Sequence, residues 1–336
     1  MSSKFILAMC LGWCSIVSAN ASELSSRLAA LNGWASWQVP MIDGVGAPCC
    51  MAQLGKDFRK AICNLDSRES SWGSSDQDPR SKDTMLAVYA HVTAGKVDRL
   101  RGFSGDCPVV ADQGPQVLQA ISPADTVNWL REVALVPSDS RKDLADPAVS
   151  TLAFVADVTA TRVLSELADS DAKKDLRESA LFWLAQNRGA DGAASVEKFA
   201  RGKADPELRA HALFALSQSP LPDHYTRVRD IGAQDSSEHV RSQALFWMAQ
   251  MDDERARDDI LAALTRETTE EGQEQAVFAL SQLPHGAADP ALIAVVRGKY
   301  ARAVKQRALF WLGQSGSDAA LSFLDEMLAK PTAATR

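Results

Sequence analysis

Four cysteines are placed where they could act together as disulfides, as metal ligands or as a redox pair. They are Cys49, Cys50, Cys63 and Cys107, and two further cysteines, Cys10 and Cys14, belong to an apolar N-terminal stretch. An even number of cysteines in an oxidising compartment indicates disulfides. We expect Cys49 and Cys50 to bond to different partners, because a bond between sequence neighbours closes a small, strained ring. Cys63 and Cys107 are then the two partners, in either pairing.

The same cysteines leave two other kinds of site open. A four-thiolate zinc site usually contains C-x-x-C pairs, and this spacing is missing from the chain. A bond between the adjacent Cys49 and Cys50 would instead be a redox-active pair. We therefore favour two disulfides and retain a redox or metal module as an alternative function.

The histidines and the other side chains that commonly act in acid–base or nucleophilic catalysis are not arranged in a recognisable catalytic motif. No two histidines are three or four residues apart, as a metal-binding helix would require; they are His91, His211, His224, His239 and His285. The G-x-S-x-G elbow, the Walker loop and the dinucleotide fingerprint are also missing. We therefore predict no catalytic residues, no bound metal and no cofactor, and we interpret the chain as non-enzymatic.

The first 21 residues predict export. Lys4 supplies a positive charge, residues 5–17 form a short apolar core, and Ala19-Asn20-Ala21 matches a cleavage site with small residues. We expect the mature chain to begin at Ser22, to contain no integral membrane segment and to be periplasmic, with secretion as the alternative. The net charge of −7 and the lack of a basic block argue against a nucleic-acid partner.

The C-terminal half of the sequence repeats every 32 residues. Five segments align without a gap: ALFWLAQ from Ala180, ALFALSQ from Ala212, ALFWMAQ from Ala244, AVFALSQ from Ala276 and ALFWLGQ from Ala308. Apolar positions recur within each segment at the spacing of a helix, and a second set of apolar columns follows in each unit. Ala148 precedes Ala180 by the same interval, so we expect about six helix pairs, the first degenerate because it caps the stack.

The run Asp205-Pro206-Glu207-Leu208-Arg209, followed by Ala212 and Ala215-Leu216, resembles the HEAT repeat in its short, phycobilin-lyase-type form. The resemblance covers roughly residues 143–330 and implies a mainly α protein with a right-handed α-solenoid. Such repeats serve scaffolds, adaptors and a few lyases. We expect a signal peptide (1–21), a small disulfide-stapled α+β domain (22–136), a linker (137–147) and a HEAT-like helical-repeat domain (148–330).

Within the first domain, two β-rich runs read as a hairpin. Residues 85–92 and 97–101 are joined by Thr93-Ala94-Gly95-Lys96, a four-residue link that contains glycine. A helix is expected to follow Ser122, with serine as its cap and proline in its first turn, and to end at about Leu135.

Two residue columns of the repeats have competing interpretations. Glutamine ends the first helix of every aligned unit, as Gln186, Gln218, Gln250, Gln282 and Gln314, and we expect these amides to tie the following turn. Tryptophan alternates with alanine at another column, as Trp183, Ala215, Trp247, Ala279 and Trp311. This alternation favours interdigitated packing, with an aromatic strip that receives a partner as the other possibility.

The resemblance places the second helix of each unit on the concave side of the solenoid. The outward polar positions of these helices are Glu197, Arg201, Tyr225, Arg229, Arg257 and Arg297, and we predict that they bind a partner. The sequence therefore predicts an exported scaffold or adaptor that binds an envelope or secreted protein through the concave face. The alternative is a lyase-like or assembly factor that holds a small cofactor where the two domains meet.

Overall fold

The structure, a computed structural model, describes residues 22–46, 48–54, 57–67, 72–74, 84–137 and 144–329, with the main chain alone for 51–54, 57–60, 72–74 and 285. The signal-peptide prediction for residues 1–21 and most of the proposed linker lie outside the described residues. The helical repeats begin at α3, which starts at Ala145.

A four-stranded sheet forms the centre of the N-terminal domain. Its order is β7–β6–β1–β9, built from β1 (Gly33–Pro40), β6 (Met85–Thr93), β7 (Lys96–Ser104) and β9 (Gln116–Val117). The predicted hairpin is β6–β7, but its turn has two residues rather than four. Ala94 and Gly95 both have positive φ angles, 50° and 74°. Two successive positive φ angles match the right-handed twist of the strands, so the strands stay paired up to the turn.

The cysteines lie in a second, smaller group of strands. These are β2 (Pro48–Leu54), β3 (Asp57–Lys60), β4 (Cys63–Asn64), β5 (Trp72–Ser74) and β8 (Val109–Val110). Cys49 bonds to Cys107 and Cys50 bonds to Cys63, which confirms that the adjacent cysteines have different partners. All four are buried, and the sulfurs of Cys63 and Cys107 lie 3.5 Å apart, so the two disulfides touch.

Two helices cover the sheet. α1 (Glu23–Ala29) precedes it, and α2 (Pro123–Leu135) begins and ends where the sequence predicted. Ser122 and Asp125 form a reciprocal capping box, which satisfies amides that the first turn leaves unpaired. The indole N–H of Trp37 donates to Thr126 Oγ1 at 3.0 Å. This buried hydrogen bond fixes α2 against β1.

Six helix pairs follow, as the period predicted. The first helices are α3 (Ala145–Phe154), α5 (Lys174–Asn187), α7 (Pro206–Ser217), α9 (Glu238–Gln250), α11 (Glu270–Ser281) and α13 (Arg302–Ser315). The second helices are α4 (Val158–Ala168), α6 (Gly189–Ala200), α8 (His224–Gly232), α10 (Ala256–Arg266), α12 (His285–Arg297) and α14 (Asp318–Ala329). The five anchor alanines of the first helices are buried, so each pair buries its apolar side against its neighbours.

Arginines join successive repeats at the turns that precede the first helices. Arg209 donates to both carboxylate oxygens of Asp235 at 2.9 Å, and Arg241 donates to both of Glu267 at 2.7 and 2.8 Å. Burial acts to raise the pKa of Asp235, but the hydrogen bonds from Arg209 and Ser237 outweigh it and hold that pKa below its ordinary value. These paired charges set the register of one repeat on the next.

The layering of the solenoid differs from the expectation. Neighbouring first helices pack side by side, whereas neighbouring second helices touch at few positions. Between α8 and α10 a cavity of about 480 Å³ remains. In a curved stack the inner layer is the one with the smaller spacing between helices. The first helices therefore form the concave layer, and placing the second helices there was wrong.

The two domains share one hydrophobic core. Met41, which follows β1, pairs with Val155, which follows α3, and the amide of Ile42 donates to the carbonyl of Phe154 at 2.9 Å. Arg188, at the α5–α6 junction, is buried and donates to the carbonyls of Val155 at 2.9 Å and Asp157 at 2.8 Å. The first helix pair therefore caps the solenoid by packing against the N-terminal domain.

Candidate binding surface on the first helices

A column of five phenylalanines runs along the outer side of the first helices. Each stands two residues after a buried anchor alanine, about 200° around the helix, and so faces away from the core. They are Phe182, Phe214, Phe246, Phe278 and Phe310. Four are half-buried, and Phe310 in the last repeat is 52% exposed. The sequence contains the signal for this phenylalanine column, because phenylalanine recurs in all five aligned units at the same distance from the anchor alanine.

The junctions between phenylalanines alternate along the stack. Phe182 stacks on Phe214, and Phe246 on Phe278, each with ring centres 6.0 Å apart. At the intervening junctions the phenylalanine meets a tryptophan of the next helix, at 4.8 Å for Phe214–Trp247 and 5.5 Å for Phe278–Trp311. The surface therefore repeats every two units.

The tryptophans of this alternation are half-buried and pack on the core, and the alanines that replace them, Ala215 and Ala279, are fully buried. The large–small alternation is thus interdigitated packing, which leaves the phenylalanine edges as the aromatic part of the face. Trp311 has a buried indole N–H without a partner among the described residues.

The glutamine column runs beside the phenylalanine column. Gln186 donates from Nε2 to the carbonyl of Gln218 in the next repeat at 2.5 Å. Gln218 and Gln282 instead donate to the hydroxyl of the serine that precedes each of them, at 3.2 and 3.1 Å, so these amides do not form the expected tie to the following turn. The exposed glutamines are Gln218, Gln250 and Gln314. A primary amide offers both donors and an acceptor, as a peptide group does. The column therefore presents three amides to solvent, those of Gln218, Gln250 and Gln314.

Charged side chains on this face are paired with each other across neighbouring first helices. Glu178 lies 3.7 Å from His211 Nδ1 and 3.5 Å from Lys174, and Arg307 lies 2.6 Å from Glu274. Burial lowers the pKa of His211, and the nearby charge of Glu178 raises it by less. The net pKa is below the ordinary value, so the ring is neutral at physiological pH. An open depression of about 410 Å³ lies between these helices, with Phe214 and Trp247 in its wall. The face is consequently aromatic and amide-rich, with its charges compensated.

The residues predicted to bind a partner lie instead on the second, convex layer. Five of the six form ion pairs with charged groups of this chain. Their contacts are Glu197 with Arg201 (3.1 Å) and Arg227 (2.7 Å), Arg229 with Asp230 (2.8 Å), Arg257 with Asp258 (2.8 Å), and Arg297 with Glu326 (3.2 Å). That they bind a partner stays a prediction.

Tyr225 is the sixth of these residues, and its outward placement was wrong. It is 1% exposed, and its hydroxyl donates to Asp259 at 2.9 Å. Tyr225, Val228 and Ile231 recur at three-residue intervals, which places the tyrosine on the buried stripe of α8. Burial raises the pKa of Tyr225, and the hydrogen bond to Asp259 adds to the rise.

One group of described side chains has atoms close enough to share a metal ion. The sulfurs of Cys49, Cys63 and Cys107 lie within 4.8 Å of one another. All three are in disulfides, and a disulfide sulfur is not a thiolate ligand. A metal or redox role for this group would therefore require prior reduction.

Comparison with protein-family models agrees with the repeat architecture. Residues 193–281 match a family model described as HEAT repeats, which confirms the resemblance read from the sequence. A similar solved structure is human deoxyhypusine hydroxylase in complex with glycerol, with 19% identity over 60% of this chain and 75% of that chain and a TM-score of 0.30. Another is the CpcE–CpcF complex of phycocyanin lyase from a Nostoc species, with 18% identity, 61% and 82% coverage and a TM-score of 0.28.

No curated protein sequence matches the chain. Within the part of the chain that the structure describes, no helix combines the length and apolar character needed to cross a membrane.

Proposed function

We propose that this protein is an exported scaffold that binds an extended polypeptide along the concave face of its solenoid. The observation that carries the proposal is the pair of parallel columns on the first helices, one of phenylalanine and one of glutamine, each repeated in five successive units. A surface of repeated, identical groups suits a ligand that is itself repetitive, and a polypeptide main chain is such a ligand.

The chemistry of the two columns supports this ligand. Exposed amides at Gln218, Gln250 and Gln314 can donate to and accept from peptide groups. The neighbouring phenylalanine edges offer apolar contact for the side chains of the ligand, and aromatic residues are enriched where interfaces derive most of their binding energy. Because Lys174 lies 3.5 Å from Glu178 and Arg307 lies 2.6 Å from Glu274, both carboxylates have a cation beside them, and the face does not demand a strongly charged ligand.

Face-specific variants test the proposal by capture of the partner from crosslinked cells. We expect a variant with Gln218, Gln250 and Gln314 changed to alanine to recover at least tenfold less partner than the wild type, because it removes exposed amides without opening the core. The matched control changes Arg201, Arg229 and Arg297 to glutamate on the convex layer, and it should recover the partner normally. Loss in the control alone would move the binding face to the second helices.

Export is part of the same proposal and has its own test. The two buried disulfides support it, because such bonds persist in oxidising compartments. N-terminal sequencing of the protein recovered from the envelope should find Ser22 as the first residue. A chain that begins at Met1 in the cytoplasm, with four free thiols in residues 22–336, would contradict export.

A further inference from the structure

A second cavity lies where the two domains meet. It has a volume of about 230 Å³ and opens between β7 of the sheet and α3 of the first repeat. Its apolar lining comprises Pro48, Leu100, Phe103, Pro147 and Phe154, and its polar lining comprises Arg101, Asp146, Ser150 and Thr151. Gly102 forms part of the wall, and a Cβ atom there would lie 2.7 Å from the side chain of Thr151. The close approach of β7 and α3 thus shapes this cavity.

Arg101 in this cavity is a half-buried cation with little compensation. Its Nη1 donates to the carbonyl of Leu100 at 2.9 Å, whereas its Nε is buried and has no acceptor in the part of the chain that the structure describes. Among the described residues no carboxylate forms an ion pair with it, and the charge that acts on it is another cation, Arg99. Burial, together with Arg99, lowers the pKa of Arg101.

Three other arginines that are buried or half-buried have their donors occupied. Arg188 donates to three carbonyls and to Thr161 Oγ1, and Arg209 and Arg241 each hold a carboxylate with two hydrogen bonds. A buried charge without such partners costs free energy, and the cost is recovered when an anion binds. Arg101 differs from these three arginines because its guanidinium has no counter-ion among the residues that the structure describes.

We propose that this cavity binds a compact organic acid, with the guanidinium of Arg101 on the carboxylate and the apolar walls around the rest of the molecule. The planar fork of arginine matches a carboxylate with two parallel hydrogen bonds. One uncompensated cation suits one negative charge. Asp146 is exposed at the mouth of the cavity, and its carboxylate already accepts a hydrogen bond from Ser179 Oγ at 2.8 Å. It therefore lies on the side of the cavity that faces solvent.

The size of the cavity limits the ligand. Pockets for drug-sized ligands measure about 300–1,000 Å³, so about 230 Å³ admits an acid of few heavy atoms and not a large cofactor. The carboxylate could belong to a free acid or to the C-terminus of a polypeptide whose last side chain is apolar. Both sources present the same chemistry to Arg101, and the proposal does not depend on the concave face.

Titration calorimetry on the mature chain, residues 22–336, tests the proposal. The probes are hexanoate and benzoate, with hexanamide and benzamide as neutral controls, and a short peptide ending in leucine with a free or an amidated C-terminus. We expect at least one acid to bind at least tenfold more tightly than its amide. Preference for the small acids would identify a free acid, and preference for the free peptide would identify a C-terminus.

Variants then assign the binding to Arg101. Arg101→Met should abolish detectable binding, and Arg101→Lys, which keeps the charge and loses the fork, should weaken it about tenfold. Arg99→Met is the matched control on the same strand and should bind within about twofold of wild type. If no acid binds the wild type, or if the acid and its amide bind equally, the proposal is wrong. The comparison of acid with amide uses unmutated protein, so a misfolded variant cannot obscure the result.

Discussion

Replacing Arg188 with methionine is expected to lower the free energy of unfolding by about 3 kcal/mol, because it leaves several buried acceptors without donors. The guanidinium of Arg188 donates hydrogen bonds to the carbonyls of Ala153, Val155 and Asp157. These bonds join the end of α5 to the end of α3 and to the segment that leads into α4. The same segment pairs with the sheet through Met41 and Val155. Methionine keeps the packing of the aliphatic stem and removes only the donors.

Urea denaturation followed by tryptophan fluorescence measures this loss. The matched control is Arg201→Met, since Arg201 is exposed and pairs with Glu197 and Gln234 on the surface. An exposed pair contributes about 0–1 kcal/mol, so the control should unfold close to the wild type. A loss below about 1 kcal/mol for Arg188→Met would mean that water replaces its donors and that the segment is not held by this residue.

Removing the two disulfides should destabilise the protein unequally. The Cys49–Cys107 bond joins residues 58 apart and the Cys50–Cys63 bond joins residues 13 apart. The loop-entropy relation then gives losses of about 4 and about 3 kcal/mol for the respective double alanine variants. Both variants remove two buried sulfurs, so the cavities are matched and the difference reports loop length.

Thiol titration of a mismatched variant checks the pairing itself. The matched variants, Cys49→Ala with Cys107→Ala and Cys50→Ala with Cys63→Ala, should contain no free thiol. Cys49→Ala with Cys63→Ala should strand Cys50 and Cys107 and expose two thiols in urea. Free thiols in the matched variants, with none in the mismatched one, would show that the cysteines are paired the other way.

The repeat architecture could be predicted because its cause is local and periodic. Buried alanines every 32 residues, from Ala180 to Ala308, specify both the helices and their order in the stack. The different partners of Cys49 and Cys50 followed from the geometry of neighbouring residues, although which partner each takes did not. The helix after Ser122 could be predicted from the sequence for the same reason, since its cap, Ser122, and its first-turn proline, Pro123, are adjacent.

The layering and the binding surface could not be obtained in the same way. Which helix of a pair lies on the inside of the curve depends on the spacing between repeats. The residues of a single repeat do not determine that spacing. Tyr225 was predicted to be exposed because it is polar. Its hydroxyl is nevertheless accommodated in the core, since one hydrogen bond, to Asp259, satisfies it. The cavity at Arg101 joins residues about 50 positions apart, so it exists only after the two domains pack.

Site-specific photocrosslinking tests most directly whether the first helices form the binding face. A benzophenone amino acid placed at Gln250 would stand on the concave face, and one placed at Arg257 would stand on the convex layer, both on exposed side chains of adjacent helices. We expect irradiation of cells to join a partner polypeptide to the protein through position 250 and not through position 257. Crosslinks from position 257 alone would contradict the concave-face scaffold and return the binding site to the second helices.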